Sequence, residues 1–228
     1  MTMSNGSPWR LDAGRAVLTQ GALRGHIDLG SPEAGARIQM ADADEIGVLW
    51  RRTNPGDARS LEEAYVRGPD LVAAYAPDAR FPFREEFYWR VDDEPRAAGD
   101  PAELSALVSL QTQLLDTSPK VWVQSQWRSE ESVALQGPAG AAAVLHRIVG
   151  GGLSVIETVD PADVCVGPEL TSSEAGASVR WSLNCPFLEK GVIRRARLGI
   201  AVTGRDNDVE TAQAWLRRFA SRAVALTA

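Results

Sequence analysis

Neutral amide side chains and an indole ring fall on alternate positions of two neighbouring segments, where they could recognise a sugar. The set consists of Gln111, Gln113, Trp122, Gln124 and Gln126. An indole ring can pack on the apolar face of a pyranose, and amide groups can donate to and accept from its hydroxyls. We therefore treat these five residues as the candidate ligand-binding face.

A β-hairpin would bring the five side chains onto one surface. Residues 108–114 and 121–127 each alternate apolar and polar positions, which is typical of strands with one buried face. The intervening Asp116–Pro119 segment is typical of a turn. With Leu114 opposite Val121, Gln113 would face Trp122 and Gln111 would face Gln124. The alternatives are that a second sheet or a neighbouring chain covers this face, which is common in large β-folds, and that residues 103–115, which also carry a partial helical spacing, form a helix.

Other candidate chemistry is sparse. His26 and His146 lie in strand-like segments, and no Gly-x-Ser-x-Gly elbow accompanies them. The carboxylate pairs Glu62–Glu63 and Glu85–Glu86 would point to opposite faces of a strand, so we interpret them as solvated charges. No Cys-x-x-Cys, His-x-His or His-Glu-x-x-His spacing occurs, so we predict no metal site and no cofactor.

Charge and apolar patterning restrict the class of protein. The chain has 228 residues and a formal net charge of −6, which argues against a nucleic-acid partner because binding phosphates requires a basic surface. No apolar run is long enough to span a bilayer, and the N-terminus is polar, so we expect a cytoplasmic protein without membrane association. In that compartment Cys165 and Cys185 should be buried free thiols.

Strand patterns dominate the sequence. The longest runs from Val192 to Val202, and Gly150–Gly152 is typical of the turn of a second hairpin. One helix is predicted near the C-terminus, where Asp206–Asp208 offers N-cap oxygens ahead of apolar residues at helical spacing. This count predicts a mainly β fold, a large β-sandwich or double-sheet structure with one C-terminal helix. The apolar stripe of the helix would comprise Val209, Ala212, Leu216 and Phe219.

Two short echoes suggest similar halves. Pro186-Phe187-Leu188-Glu189 resembles Pro82-Phe83-Arg84-Glu85, and a Gly-Pro pair precedes each copy. An internal duplication would explain them, as would two turn–strand units built from common residues, which is the simpler interpretation. A Pro-, Gly- and acid-rich stretch at residues 92–101 would separate an N-terminal half, 1–95, from a C-terminal half, 102–228, unless the two form one continuous domain.

Three functions fit these features. The first is a non-enzymatic binding or interaction module with a carbohydrate or protein partner, because titratable groups are not concentrated anywhere. The second is a carbohydrate-binding or sugar-isomerising protein. The third is an assembly subunit whose uncharged polar face forms a homo-oligomer interface. The sequence leaves enzymatic activity open.

Overall fold

Two large antiparallel sheets and one α-helix make up most of the described part of the chain. The computed structural model describes residues 7–41, 44–52, 59–92, 101–137, 140–150, 152–183 and 187–222. Within these ranges two eight-stranded sheets form a sandwich-like arrangement, and the helix packs on one of them. The predicted mainly β double-sheet structure with one C-terminal helix is confirmed.

We call the two sheets the front sheet and the back sheet. In spatial order the front sheet contains β1 (Trp9–Asp12), β2 (Arg15–Gln20), β3 (Leu23–Asp28), β4 (Ala36–Met40), β5 (Glu45–Arg52), β11 (Val121–Trp127), β16 (Gly176–Leu183) and β15 (Val164–Ser173). The back sheet contains β12 (Ser129–Gln136), β13 (Ala142–Ile148), β14 (Leu153–Val159), β18 (Ile193–Gly204), β9 (Ala102–Thr112), β8 (Phe83–Val91), β7 (Asp70–Tyr75) and β6 (Leu61–Arg67). The remaining elements are the paired short strands β10 (Asp116–Thr117) and β17 (Leu188–Glu189), a 3₁₀ helix (Pro32–Ala34) and α1 (Asp208–Ser221).

Apolar side chains from the inner faces of both sheets form one continuous core. Alternation along β18 directs Ala196, Leu198, Ile200 and Val202 inward. At the centre, Trp50 of the front sheet stacks on Trp89 of the back sheet with ring centroids 5.2 Å apart. The inner faces therefore hold the two sheets together by aromatic and aliphatic packing.

The helix covers part of the outer face of the back sheet. Ala212, Trp215, Leu216 and Phe219 pack against residues of β13, β14 and β18. Gly199 allows this close approach, because a Cβ at this position would lie 2.4 Å from Cε2 of Phe219. The predicted stripe is wrong at one position, Val209, which is 44% exposed.

The start of the helix differs from the predicted capping arrangement. Asn207 occupies the N-cap position in a left-handed conformation, and its side chain makes no capping hydrogen bond. The carboxylate of Asp208 accepts hydrogen bonds from Ser154 at 2.7 Å and Arg147 at 3.0 Å. Asp208 thereby ties the first turn of α1 to the back sheet.

Strands from both sides of residues 93–100 contribute to both sheets. β8 and β9, which flank this segment, pair directly in the back sheet. The central part of the predicted linker lies outside the described residues, as does Pro186 of the second sequence echo. The division into two halves and their duplication therefore stay predictions.

One cysteine differs from expectation. Cys165 is a free thiol, as predicted, but it is exposed, because β15 is the edge strand of the front sheet. Cys185 lies outside the described residues.

The helix α1 lacks features of a membrane span. Among the described residues no helix combines the length and the apolar character needed to cross a bilayer.

Candidate functional site

The structure separates the five predicted ligand residues into two groups. β11 lies inside the front sheet between β5 and β16, and it directs Trp122, Gln124 and Gln126 to the outer face. Gln111 is the penultimate residue of β9 and Gln113 directly follows the strand, so both lie at the end of a back-sheet strand. The predicted hairpin is wrong: β9 pairs with β8 and β18, not with β11.

Trp122 is half-buried on the outer face of the front sheet. The Arg180 guanidinium carbon lies 4.3 Å from the centroid of the Trp122 ring. Nε of Arg180 also donates to a Glu169 oxygen at 2.9 Å. An indole, a guanidinium and a carboxylate thus follow one another across β11, β16 and β15.

The amides beside Trp122 belong to the same polar surface. Gln124 Nε2 donates to the Ser178 hydroxyl at 2.6 Å, and Arg51 Nη1 donates to Gln126 Oε1 at 3.2 Å. We refer to Trp122, Gln124, Gln126, Ser178 and Arg180 as the Trp122 face. It offers donors, acceptors and part of an aromatic ring, the combination that a hydroxylated ligand requires.

A groove adjoins the Trp122 face at Gln126. Side chains of several neighbouring strands line it, among them Glu45, Val48, Gln126, Arg128, Thr171 and Ser178. Gly176 also lines the groove, with φ at +128°. A Cβ at Gly176 would lie 2.0 Å from the carbonyl oxygen of Trp127, so only glycine fits.

A carboxylate is buried between the sheets directly behind this surface. Glu157 of β14 is fully buried. Its Oε1 accepts hydrogen bonds from Ser125 Oγ at 2.8 Å and Trp50 Nε1 at 3.2 Å, and its Oε2 accepts one from Trp127 Nε1 at 2.9 Å. Two indoles and a hydroxyl of the front sheet therefore hold a carboxylate of the back sheet.

Burial and hydrogen bonding act on Glu157 in opposite directions. Burial raises the pKa of Glu157 to about 7, and the N–H and O–H donors around it oppose this rise. The Trp181 N–H makes no hydrogen bond within the described residues, so the direct donors to Glu157 are Trp50, Trp127 and Ser125.

Trp50 adopts an unusual backbone conformation where it meets Glu157. Its φ is +47°, a region that bulky residues seldom occupy. The pairing of β5 with β11 shifts register beside it, and the Trp50 N–H donates to Ser125 Oγ at 3.1 Å. This strained turn of β5 directs the indole toward the carboxylate.

The two histidines occupy different surroundings. His146 is buried against the Trp127 ring, with centroids 5.5 Å apart, and its Nδ1 lies 2.8 Å from the Ser132 hydroxyl. Burial lowers the pKa of His146 to about 3, so the imidazole is neutral near neutral pH. His26 is half-buried, and burial, followed by Arg15 and Arg37, lowers its pKa.

The burial of two acidic residues, Glu157 and Glu85, was not predicted from the sequence. Glu157 shares the inner face of β14 with Val155 and Val159. A carboxylate at a position where alternation predicts an apolar residue was the sequence signal that could have identified it. Glu85 was interpreted as solvated, but it is fully buried and paired with Arg52. Glu85 and Glu86 do point to opposite faces of β8, and the face on which Glu85 lies is turned toward the core.

The comparisons with known proteins support a fold and no family. No protein-family model and no curated protein matches the chain. A solved structure from the human microbiome, assigned as a kojibiose phosphorylase, superposes with a TM-score of 0.50 at 8% identity. The match covers 93% of this chain and 33% of that chain, so the protein spans about a third of its structural neighbour. At this identity the likeness concerns the fold alone.

Proposed function

We propose that the protein is a non-catalytic binding module that takes up an oligosaccharide on the Trp122 face. The observation that carries this proposal is a half-exposed indole set among amide, hydroxyl and guanidinium groups on the outer face of the front sheet. The helix packs on the opposite sheet, so it does not cover this face. Protein surfaces that combine an aromatic ring with neutral hydrogen-bonding groups suit pyranose rings.

The binding mode follows from cross-strand neighbours. Arg180 covers one side of the Trp122 ring, so a sugar ring would pack on the part of the indole that remains exposed. Gln124 pairs with Arg180, which pairs in turn with Glu169. These three side chains would form hydrogen bonds with the hydroxyl groups of the packed sugar ring.

The buried acid supports a binding role over a catalytic one. A general acid must come within hydrogen-bond reach of its substrate. Glu157 is fully buried, and its oxygens are engaged by Trp50, Ser125 and Trp127. The name of the structural neighbour refers to a sugar, but the likeness is one of fold, so the proposal depends on the Trp122 face.

Replacing Trp122 with alanine should abolish oligosaccharide binding and lower the free energy of unfolding by less than about 1 kcal/mol, as expected for a surface site. Trp181→Ala is the matched control because Trp181 lies on the next strand, fully buried. It should cost roughly 3–5 kcal/mol. Binding is measured on an oligosaccharide array followed by calorimetry, and stability by denaturant unfolding. Equal losses of stability in the two variants would show that Trp122 is a core residue and would contradict the proposal.

A further inference from the structure

A cavity of about 180 Å³ lies on the outer face of the back sheet, between α1 and β8. Ser105 of β9 lies at its floor. Trp215 and Phe219 of α1 line one side, and Tyr88 and Arg90 of β8 line the other. Both sheets separate this cavity from the Trp122 face, so the two sites are independent.

The size of the cavity sets the size of its ligand. An apolar cavity of roughly 150 Å³ in a protein can hold benzene. The slightly larger space here, bounded by Trp215, Phe219 and Leu107, fits one six-membered ring with one small substituent. The Arg90 and Arg222 side chains at its edge are 44% and 42% exposed, so the cavity reaches solvent there.

The unused hydrogen-bonding groups around the cavity are donors. Arg197 Nε and Trp215 Nε1 are buried and have no acceptor among the described residues. Arg90 donates hydrogen bonds to Asp70 through Nε and Nη2 and to the Tyr88 hydroxyl through Nη2. Its Nη1 makes no hydrogen bond to the described residues. A ligand that completes these groups must supply acceptor oxygens.

The acidic groups that line the cavity already hold cations. Glu103 accepts from Arg222 at 2.8 Å and from Arg218 at 3.4 Å. Asp92 pairs with Arg222 at 2.8 Å, and the Tyr88 hydroxyl donates to Asp70.

Each arginine that lines the cavity already has a carboxylate partner. Arg90 pairs with Asp70, Arg197 with Asp160, and Arg222 with Asp92 and Glu103. Arg197 Nε takes no part in these pairs, and a carboxylate oxygen is the acceptor that a guanidinium N–H binds most strongly.

We propose that this cavity binds a small monocarboxylate that carries a six-membered apolar ring. The ring packs against Trp215 and Phe219, and the carboxylate faces the guanidinium groups of Arg90 and Arg197. Nothing in this arrangement depends on the oligosaccharide surface of the front sheet.

Sodium benzoate is the probe for this site. In ¹⁵N-labelled protein the indole N–H signals report on individual tryptophans, and Trp215→Phe identifies the signal of Trp215. Benzoate should shift the Trp215 signal saturably and leave the Trp122 signal in place. Benzyl alcohol, which has the same ring without the charge, should bind at least about tenfold more weakly, because charged hydrogen bonds are stronger.

Ser105→Leu fills the floor of the cavity and should abolish the benzoate shift. Ser172→Leu, at an exposed position of β15, is the matched control and should bind as the wild type does. If benzoate produces no saturable shift of Trp215, or if Ser105→Leu binds it normally, the proposal is overturned. Should Ser105→Leu fail to fold, the comparison of benzoate with benzyl alcohol in the wild type decides: equal binding contradicts a carboxylate site. Failure here leaves the oligosaccharide test unaffected.

Discussion

Replacing Glu157 with leucine should lower the free energy of unfolding at neutral pH by about 3 kcal/mol or more. Three buried donors, Trp50 Nε1, Trp127 Nε1 and Ser125 Oγ, would lose their common acceptor, and each such loss costs roughly 1–3 kcal/mol. Relief from burying a carboxylate offsets part of this cost. Denaturant unfolding monitored by tryptophan fluorescence measures the effect.

The pH dependence of the Glu157 contribution has a definite sign. The pKa of Glu157 is about 7 in the folded protein, above its ordinary value of 4.5. The folded state therefore holds a proton that the unfolded state releases between these two values. The contribution to stability is full below about pH 4.5 and falls by roughly 3 kcal/mol as pH rises through about 7.

Glu157→Gln isolates this dependence because the amide keeps one carbonyl oxygen and does not titrate. His146 acts in the opposite direction: its pKa is lowered to about 3, so its contribution is lost as pH falls below about 6.5. Because the two groups act in opposite directions, the effect of Glu157 is measured as the difference in the free energy of unfolding between the wild type and Glu157→Gln. That difference should shrink between about pH 5 and pH 8. A constant difference would show that Glu157 titrates normally.

Replacing Arg52 with methionine should destabilise the protein by roughly 3–5 kcal/mol, because Glu85 would remain buried without its direct partner. The Arg52 guanidinium also packs on the Phe81 ring, with its central carbon 4.4 Å from the ring centroid. A second cation, Arg59, contacts the same ring, with its guanidinium carbon 4.0 Å from the centroid. Chemical denaturation of the purified variant measures the loss.

A double-mutant cycle separates the ion pair from packing. Arg52→Met with Glu85→Leu should recover most of the loss, because paired apolar replacements remove both buried charges. Arg84→Met is the matched control: its partner Glu62 is exposed, and breaking that pair should cost less than about 1 kcal/mol. Strictly additive effects of the Arg52 and Glu85 substitutions would contradict the assigned coupling.

Alternation predicted which residues face the core but not which strands are neighbours. The apolar alternate positions of β18, and Val121 and Val123 of β11, lie in the core. The predicted pairing of β9 with β11 was wrong because alternation determines which way the side chains of a strand point, whereas strand pairing is decided by contacts distant in sequence. β9 pairs with β18, about ninety positions further along the chain.

The helix-or-strand ambiguity of residues 103–115 also has a structural cause. β9 directs Leu104, Ala106, Val108 and Leu110 into the core between the sheets. On its outer face Leu107 packs with Val72 and Tyr88. Leu107 is the one apolar residue on the outer face of β9, and with Leu104 and Val108 it produces the partial helical spacing in the sequence.

The candidate site was predictable only in part. Trp122, Gln124 and Gln126 share an outer face because they alternate along one strand. Arg180 and Ser178 join them through pairing with β16, which the sequence of β11 does not encode. Gln111 and Gln113 were grouped with them through a hairpin that does not form.

The central claim is that the Trp122 face binds an oligosaccharide. Titration of ¹⁵N-labelled protein with the oligosaccharides retained on an array tests it most directly, with the indole and side-chain amide signals as reporters. The account predicts saturable shifts of the Trp122 indole and the Gln124 and Gln126 amides, with the signals of Trp181 and Trp215 unchanged. Shifts confined to other tryptophans, or binding that persists in Trp122→Ala, would contradict it.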